Sequence, residues 1–122
     1  MSAHGPGYVL VVDDLDEQRE IYGTILKHAG LHVLEAEDGE TALHLARAHV
    51  PDVMLLDVCL PDVDGFEVTR RLKADRRTRP ISILLLTAGA VPQGGAPAYD
   101  EFLSKPVQPR EALAAVRRHL RH

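Results

Sequence analysis

Asp52-Val-Met-Leu-Leu-Asp57-Val-Cys-Leu-Pro61-Asp-Val-Asp-Gly65 is the stretch that decides which fold this sequence predicts. Its apolar run, residues 53–56, is too short for an ordinary helix and is typical of a strand buried on both faces of a sheet. Asp57 follows the run directly, and open α/β sheets bind their ligands at the carboxyl ends of their strands. Asp57 is therefore the first candidate for chemistry, although aspartate also ends strands for a purely local reason, because it starts turns.

Short apolar runs and helical patterns alternate along the whole chain. We predict strands at Tyr8–Val12, Leu31–Ala36, Val53–Leu56, Ile81–Leu86 and Asp100–Leu103. The predicted helices begin near Asp16, Thr41, Asp64 and Pro109, and each carries an apolar stripe at helical spacing. This alternation predicts a parallel sheet with right-handed crossovers, hence a doubly wound α/β sandwich. We expect one domain over residues 1–122, with residues 1–6 flexible.

Composition excludes several functional classes. The formal net charge of −4 and the pI of about 5.9 argue against nucleic acid as a direct partner, since phosphate binding needs a basic face. Cys59 is the single cysteine, so an internal disulfide and a cysteine-based zinc site are not expected. No apolar stretch approaches the roughly 18 residues of a membrane span, and the amino end does not resemble a secretion leader. We therefore expect a cytoplasmic domain.

Polar side chains follow four of the five predicted strands, at the edge of the sheet where the carboxyl ends meet. They are Asp13, Asp14, Asp57, Thr87 and Lys105. Clustered carboxylates repel one another unless a cation lies among them, and hard oxygen ligands suit Mg²⁺. A lysine and a hydroxyl beside such an ion suit phosphoryl oxygens, and the central carboxylate can act as a nucleophile. The sequence therefore predicts a phosphoryl-transfer site.

The same residues carry a resemblance to the receiver domain of two-component response regulators, the CheY-like proteins. The matching pieces are Val11-Val12-Asp13-Asp14, Leu56-Asp57 with Leu60-Pro61 and Asp64-Gly65, Leu86-Thr87-Ala88, and Phe102-Leu103-Ser104-Lys105-Pro106. They span the chain almost from end to end in the family's order. The resemblance implies a flavodoxin-like five-stranded sheet with strand order 2-1-3-4-5.

The resemblance also implies roles for individual residues. Asp57 matches the phosphoacceptor, and Lys105 matches the lysine that contacts the phosphoryl group. Asp14, Asp57 and the backbone carbonyl of Cys59 match direct Mg²⁺ ligands, while Asp13 matches an acid that acts mainly through water. Mn²⁺ is an alternative to Mg²⁺. The lysine is expected to precede a cis peptide bond to the following proline.

The implied activity is signalling rather than conventional metabolic catalysis. The phosphodonor is a phosphohistidine on a histidine kinase or a histidine phosphotransfer domain, and the chain catalyses its own phosphorylation and autodephosphorylation. Thr87 and Phe102 match the pair that switches conformation on phosphorylation. The family also implies that Cys59 and Gly89 control access of the hydrolytic water, although Cys59 equally fits a small apolar filler.

One segment departs from the family pattern. The stretch between Thr87 and Lys105 is several residues short, and Ala88–Pro97 is rich in glycine and proline where relatives have a fourth helix. We expect that helix to be reduced to about a turn or to be missing. Dimerisation through that surface is therefore open, and the first helix is an alternative partner surface.

Two other functions are compatible with parts of the pattern. A phosphohydrolase can use an aspartate nucleophile and Mg²⁺ on a doubly wound sheet, but such enzymes place nucleophile and acid two residues apart on one strand. A phosphate-independent binding module could share the fold, but here every phosphorylation residue is present. The cognate kinase, the downstream output and the extent of the full protein are not encoded in these motifs.

Overall fold

A single parallel sheet organises the part of the chain that the structure describes. The structure is a computed structural model, and it describes residues 7–89 and 99–120. Within those residues five strands pair in the order β2-β1-β3-β4-β5. The strands are β1 (Tyr8–Val12), β2 (His32–Ala36), β3 (Val53–Asp57), β4 (Ser82–Thr87) and β5 (Glu101–Ser104). The predicted order 2-1-3-4-5 is confirmed.

Helices cover both faces of this sheet. Over the same described residues they are α1 (Asp16–His28), α2 (Gly39–His49), α3 (Gly65–Ala74) and α4 (Pro109–His119). The side chains of α1 and α4 pack on one face, and those of α2 and α3 pack on the other. No helix among the described residues is long and apolar enough to cross a membrane.

Alternate residues of the central strands enter two separate cores, because successive side chains of a strand point to opposite faces. In β3, Met54 and Leu56 join the core beneath α2 and α3, while Val53 and Leu55 join the core beneath α1 and α4. Every residue of β3 is buried, Asp57 included. This explains why the run lacks the polar alternation of a half-exposed strand.

The boundaries differ from the sequence prediction by one or two residues. Strand β2 begins at His32 rather than Leu31, and helix α2 begins at Gly39 rather than Thr41 because the Asp38 side chain accepts a hydrogen bond from the Thr41 amide. Helix α1 begins at Asp16, where the sequence predicts its start. Leu15 occupies the capping position, and Asp16 lies in the first turn, where its charge suits the helix dipole.

Two expectations fall on residues outside the described part of the chain. One is the expectation that residues 1–6 are flexible. The missing fourth helix is the other, because residues 90–98 are not described. The described residues that flank this segment, up to Gly89 and from Tyr99 onward, contain no helix between β4 and β5.

The loop after β3 folds back tightly onto the end of that strand. The Gly65 amide donates a 2.8 Å hydrogen bond to the carbonyl of Val58. A Cβ at Gly65 would lie 2.7 Å from the carbonyl oxygen of Asp57 and 2.8 Å from the Cα of Val58. Only glycine permits so close an approach of backbone to backbone.

We therefore expect Gly65→Ala to lower the free energy of unfolding by about 1–3 kcal/mol, since the added methyl meets backbone atoms that have little freedom to move. Urea unfolding measures this. The matched control is Gly89→Ala, because no atom of the residues that the structure describes lies within 4 Å of a Cβ at that position. A Gly65→Ala protein as stable as the parent would contradict the close packing of this loop.

Candidate functional site

The predicted polar residues meet at one edge of the sheet. Asp13 directly follows β1, Asp57 ends β3, Thr87 ends β4, and Lys105 directly follows β5. The pairing register brings these ends level, since Asp57 pairs with Leu86 and Thr87 pairs with Ser104. The convergence that the sequence predicts is therefore observed.

Three carboxylates form the acidic part of the site. One ligand oxygen from each of Asp13, Asp14 and Asp57 lies within 4.8 Å of the other two. Asp13 and Asp57 are only 1% and 3% exposed, whereas Asp14 is exposed to solvent. Carboxylates so close together and so deeply buried repel one another strongly unless a cation or a proton compensates them.

Asp13 shows most directly that a cation fits here. Its Oδ1 accepts a 3.0 Å hydrogen bond from the amide of Leu15. Its Oδ2 is buried and has no hydrogen-bond partner among the described residues. Burial, together with the charge of Asp57, raises the pKa of Asp13 above its ordinary value. An unpartnered buried carboxylate oxygen beside two further acids is a donor set that suits a hard divalent cation such as Mg²⁺.

Lys105 supplies the positive charge of the site. Its Nζ lies 2.9 Å from Asp57 Oδ2, and the other oxygen of Asp57 accepts a 3.1 Å hydrogen bond from the Cys59 amide. Burial alone would lower the pKa of Lys105, but the hydrogen bond and charge of Asp57 outweigh it, so that the pKa is raised. Lys105 is therefore firmly cationic, and the Asp57 carboxylate is held in a fixed orientation.

The cis bond expected at Lys105–Pro106 is present. Thr87 and Phe102, the two predicted switch residues, interact with their own neighbours in the structure. The Thr87 hydroxyl accepts a 3.1 Å hydrogen bond from the Gly89 amide and donates a longer one, of 3.3 Å, to the Gly89 carbonyl oxygen. The Phe102 ring is 38% exposed and packs edge-on against Tyr99, with 6.3 Å between ring centroids.

Arg19 is a residue that the sequence pattern does not single out, and its guanidinium supports the acidic loop. One of its amino groups donates a 2.7 Å hydrogen bond to the backbone carbonyl of Asp13, and its Nε lies 3.3 Å from Glu35 of β2. The arginine thus joins the loop after β1 to a neighbouring strand. Its spacing from Asp16 suggests only a helical ion pair, so the sequence gives no sign of the contact with the carbonyl.

Asp62 was also missed, although it lies in the stretch that decides the fold. Its two carboxylate oxygens accept hydrogen bonds of 2.8 and 3.0 Å from the amides of Gly39 and Glu40, at the start of α2. The Gly39 amide, as the largest influence, holds the pKa of Asp62 below its ordinary value. This contact ties the loop that carries Cys59 to α2, and only the folded chain brings the two together.

Comparison with known proteins agrees with this geometry. The family model of the response regulator receiver domain matches residues 9–117. The polar-differentiation response regulator DivK of Brucella anthropi is 33% identical over 122 residues, which cover 94% of this chain and 97% of DivK. The chain spans about half the length of two other curated relatives, to which it is 40% and 38% identical.

Solved structures show the same fold. The chemotaxis response regulator CheY4 of Vibrio cholerae is similar with a TM-score of 0.87 at 32% identity, over 95% of this chain and 100% of CheY4. The receiver domain of the sensor histidine kinase PA1611 of Pseudomonas aeruginosa gives a TM-score of 0.83 at 28% identity, over 94% of this chain and 98% of its own. That structure has a magnesium ion coordinated in its active site cleft.

The family match, the shared strand order and the acids and lysine at one edge of the sheet are three findings that agree. The family match covers both faces of the sheet, since it extends from β1 into α4. The chain belongs to the response regulator receiver domain family.

Proposed function

We propose that this receiver domain accepts a phosphoryl group on Asp57 from a phosphohistidine of a histidine kinase or a histidine phosphotransfer domain. The observation that carries the proposal is the position of the Asp57 carboxylate, 2.9 Å from the ammonium of Lys105 and clustered with the carboxylates of Asp13 and Asp14. A nucleophilic carboxylate beside a fixed cation and a set of metal-ligating acids is what transfer to aspartate requires.

Asp57 acts as the nucleophile in the proposed reaction. Its hydrogen bonds with Lys105 and with the Cys59 amide hold the carboxylate in one orientation, so that the nucleophile is positioned before the phosphodonor binds. A P–O bond to Asp57 forms as the P–N bond to the donor histidine breaks, and the imidazole leaves with the electron pair of that bond. Lys105 moves from the carboxylate to a phosphoryl oxygen and balances its charge.

The groups that would hold Mg²⁺ directly are Asp14, Asp57 and the backbone carbonyl of Cys59, and Asp13 would act mainly through water. When bound, the ion supplies charge neutralisation for the acids and for the phosphoryl oxygens. The unpartnered Oδ2 of Asp13 supports this assignment, as does the magnesium ion in the related PA1611 receiver domain. Mn²⁺ fits the same oxygen donors.

Hydrolysis returns the site to its starting state. Water attacks the phosphorus of the acyl phosphate, the P–O bond to Asp57 breaks, and inorganic phosphate leaves. Cys59 is exposed beside Asp57, and no atom of the described residues lies within 4 Å of a Cβ at Gly89. This exposure supports the proposal that Cys59 and Gly89 control the lifetime of the phosphorylated state. The activity is a signalling cycle in the cytoplasm rather than metabolic turnover.

Thr87 and Phe102 are proposed to change conformation on phosphorylation and so to alter the outer surface of the domain. The Thr87 hydroxyl is engaged with the backbone of Gly89 and would exchange that partner for a phosphoryl oxygen. The movement vacates space beside β5, into which the half-exposed Phe102 ring can turn. Added charge acting through local hydrogen bonds on such a two-state element is the usual form of a phosphorylation switch.

Asp57→Asn is expected to abolish Mg²⁺-dependent labelling by radioactive acetyl phosphate, because an amide cannot form the acyl phosphate. The matched control is Asp38→Asn, which makes the same chemical change at a helix cap that asparagine serves equally well. Labelling should remain normal in the control. Retained labelling of Asp57→Asn, or steady turnover of simple phosphate monoesters by the parent, would instead favour a phosphohydrolase.

Asp13→Asn is expected to raise the free energy of unfolding by about 1 kcal/mol without metal, because it removes one of the mutually repelling buried charges. The same change should weaken the stabilisation that added Mg²⁺ produces by binding the folded state. Urea unfolding with and without Mg²⁺ measures both effects, with Asp38→Asn again as the control. A variant that keeps the full Mg²⁺ effect would remove Asp13 from the metal site.

Mg²⁺ with beryllofluoride, which imitates the phosphoryl group, is expected to change the amide resonances of Thr87, Gly89 and Phe102 in NMR spectra of the parent. In Thr87→Val the isosteric side chain lacks the hydroxyl, so beryllofluoride should still bind while the change at Phe102 is lost. An unchanged Phe102 response in Thr87→Val would refute the proposed switch.

A further inference from the structure

Tyr22 of α1 is a large, fully buried side chain whose hydroxyl joins two parts of the molecule. The ring is 2% exposed and belongs to the core beneath α1 and α4. The hydroxyl donates a buried 2.8 Å hydrogen bond to the backbone carbonyl of Val107 and accepts one of 3.0 Å from the side chain of Gln18. Burial is the largest influence on the hydroxyl and raises the pKa of Tyr22, so that the proton needed for donation is retained.

The carbonyl that accepts this bond lies two residues beyond Lys105. On the other side of the segment, the Lys105 amide donates a 2.9 Å hydrogen bond to the carbonyl of Thr87 at the end of β4. Pro106 lies between and has no amide hydrogen with which to anchor the chain. Two hydrogen bonds, one to β4 and one to Tyr22, therefore fix the backbone from which Lys105 extends to Asp57.

Core packing does not require the hydroxyl of Tyr22. A phenylalanine ring would fill the same apolar space, and a buried hydroxyl is costly unless it is hydrogen bonded. Removal of the hydroxyl leaves the buried Val107 carbonyl without its partner, and the segment must then move to find another. Loss of this hydrogen bond therefore destabilises the loop that carries Lys105.

We propose that Tyr22 is a positioning residue for Lys105, because its hydrogen bond to the Val107 carbonyl fixes the loop that aims the ammonium at Asp57. This inference rests on the proposed function, in which Lys105 contacts the transferred phosphoryl group. It assigns Tyr22 no contact with the phosphoryl group, with the metal site or with the phosphodonor.

Tyr22→Phe is the direct test, with acetyl phosphate as phosphodonor and Mg²⁺ present. We expect phosphorylation to slow by roughly three- to tenfold, which is the size of one lost buried hydrogen bond expressed as a rate. The affinity for Mg²⁺ should stay unchanged, because the acids belong to other loops. In a Lys105→Ala background, Tyr22→Phe should have no further effect on the rate, since there is no ammonium left to aim.

Thr78→Val is the matched control. The Thr78 hydroxyl also donates a buried hydrogen bond to a carbonyl, that of Leu72 at 2.6 Å, but it lies in the loop between α3 and β4. Its removal should destabilise the fold to a similar degree without a Lys105-dependent change in rate. Three outcomes would overturn the positioning role. The rate could be unchanged in Tyr22→Phe, or Thr78→Val could lose rate to the same degree. The rate loss of Tyr22→Phe could also persist in the Lys105→Ala background.

A second measurement works without phosphorylation. The chain has three lysines, Lys27, Lys73 and Lys105, so the Lys105 ammonium can be assigned by NMR after isotope labelling. Its protons should exchange slowly with water in the parent, because Asp57 holds them, and faster in Tyr22→Phe. If the parent is not labelled by acetyl phosphate, the proposed function fails, and this exchange rate alone decides the inference. Equal exchange in parent and variant would refute it.

Discussion

Burial of acidic groups at the carboxyl ends of β1 and β3 is the constraint on which the site depends. Asp13 and Asp57 are almost inaccessible to solvent, and Asp13 has a carboxylate oxygen without a hydrogen-bond partner among the described residues. One lysine offsets this negative charge, 2.9 Å from Asp57. A buried carboxylate is tolerated only with a compensating charge or proton. The site is therefore left with negative charge that is not fully compensated, and such a site suits a cation.

The loops around these acids are tied to neighbouring elements by single polar side chains. Arg19 of α1 binds the carbonyl of Asp13, Asp62 binds the first amides of α2, and Tyr22 binds the carbonyl of Val107. Each contact joins a loop at the site to an element that the core already holds rigid. Transfer chemistry depends on positions fixed within fractions of an ångström, and rigid elements supply that precision better than loops alone.

Thr87 and Phe102, the two residues of the proposed switch, are held differently from these loops. The threonine hydroxyl bonds only the backbone of Gly89 among the described residues, and the aromatic ring is more than one third exposed. The exposed Phe102 side chain can therefore change its environment at small cost. In the proposed function, Thr87 and Phe102 form the element that responds to a phosphoryl group, whereas the fully packed strands β1 and β3 keep their positions.

The sequence by itself determined the order of strands and helices, the buried character of the central strands and the residues that reach the strand ends. It could do so because apolar periodicity and turn residues are local properties, and a parallel sheet brings every strand end to one edge. The resemblance to receiver domains added the strand order that the structure confirms. Exact boundaries were not determined, since the position that Leu15 takes before α1 depends on packing around the helix end.

Only the tertiary structure decided which polar groups support the site. Tyr22 and Val107 are 85 residues apart, and Asp62 and Gly39 are 23 apart, so no local pattern relates them. The spacing of Arg19 from Asp16 predicts only an ion pair within α1, yet its guanidinium also donates a hydrogen bond to the backbone of the acidic loop. The reason is physical: a hydrogen bond to a backbone carbonyl depends on where the chain passes, not on which residue stands there.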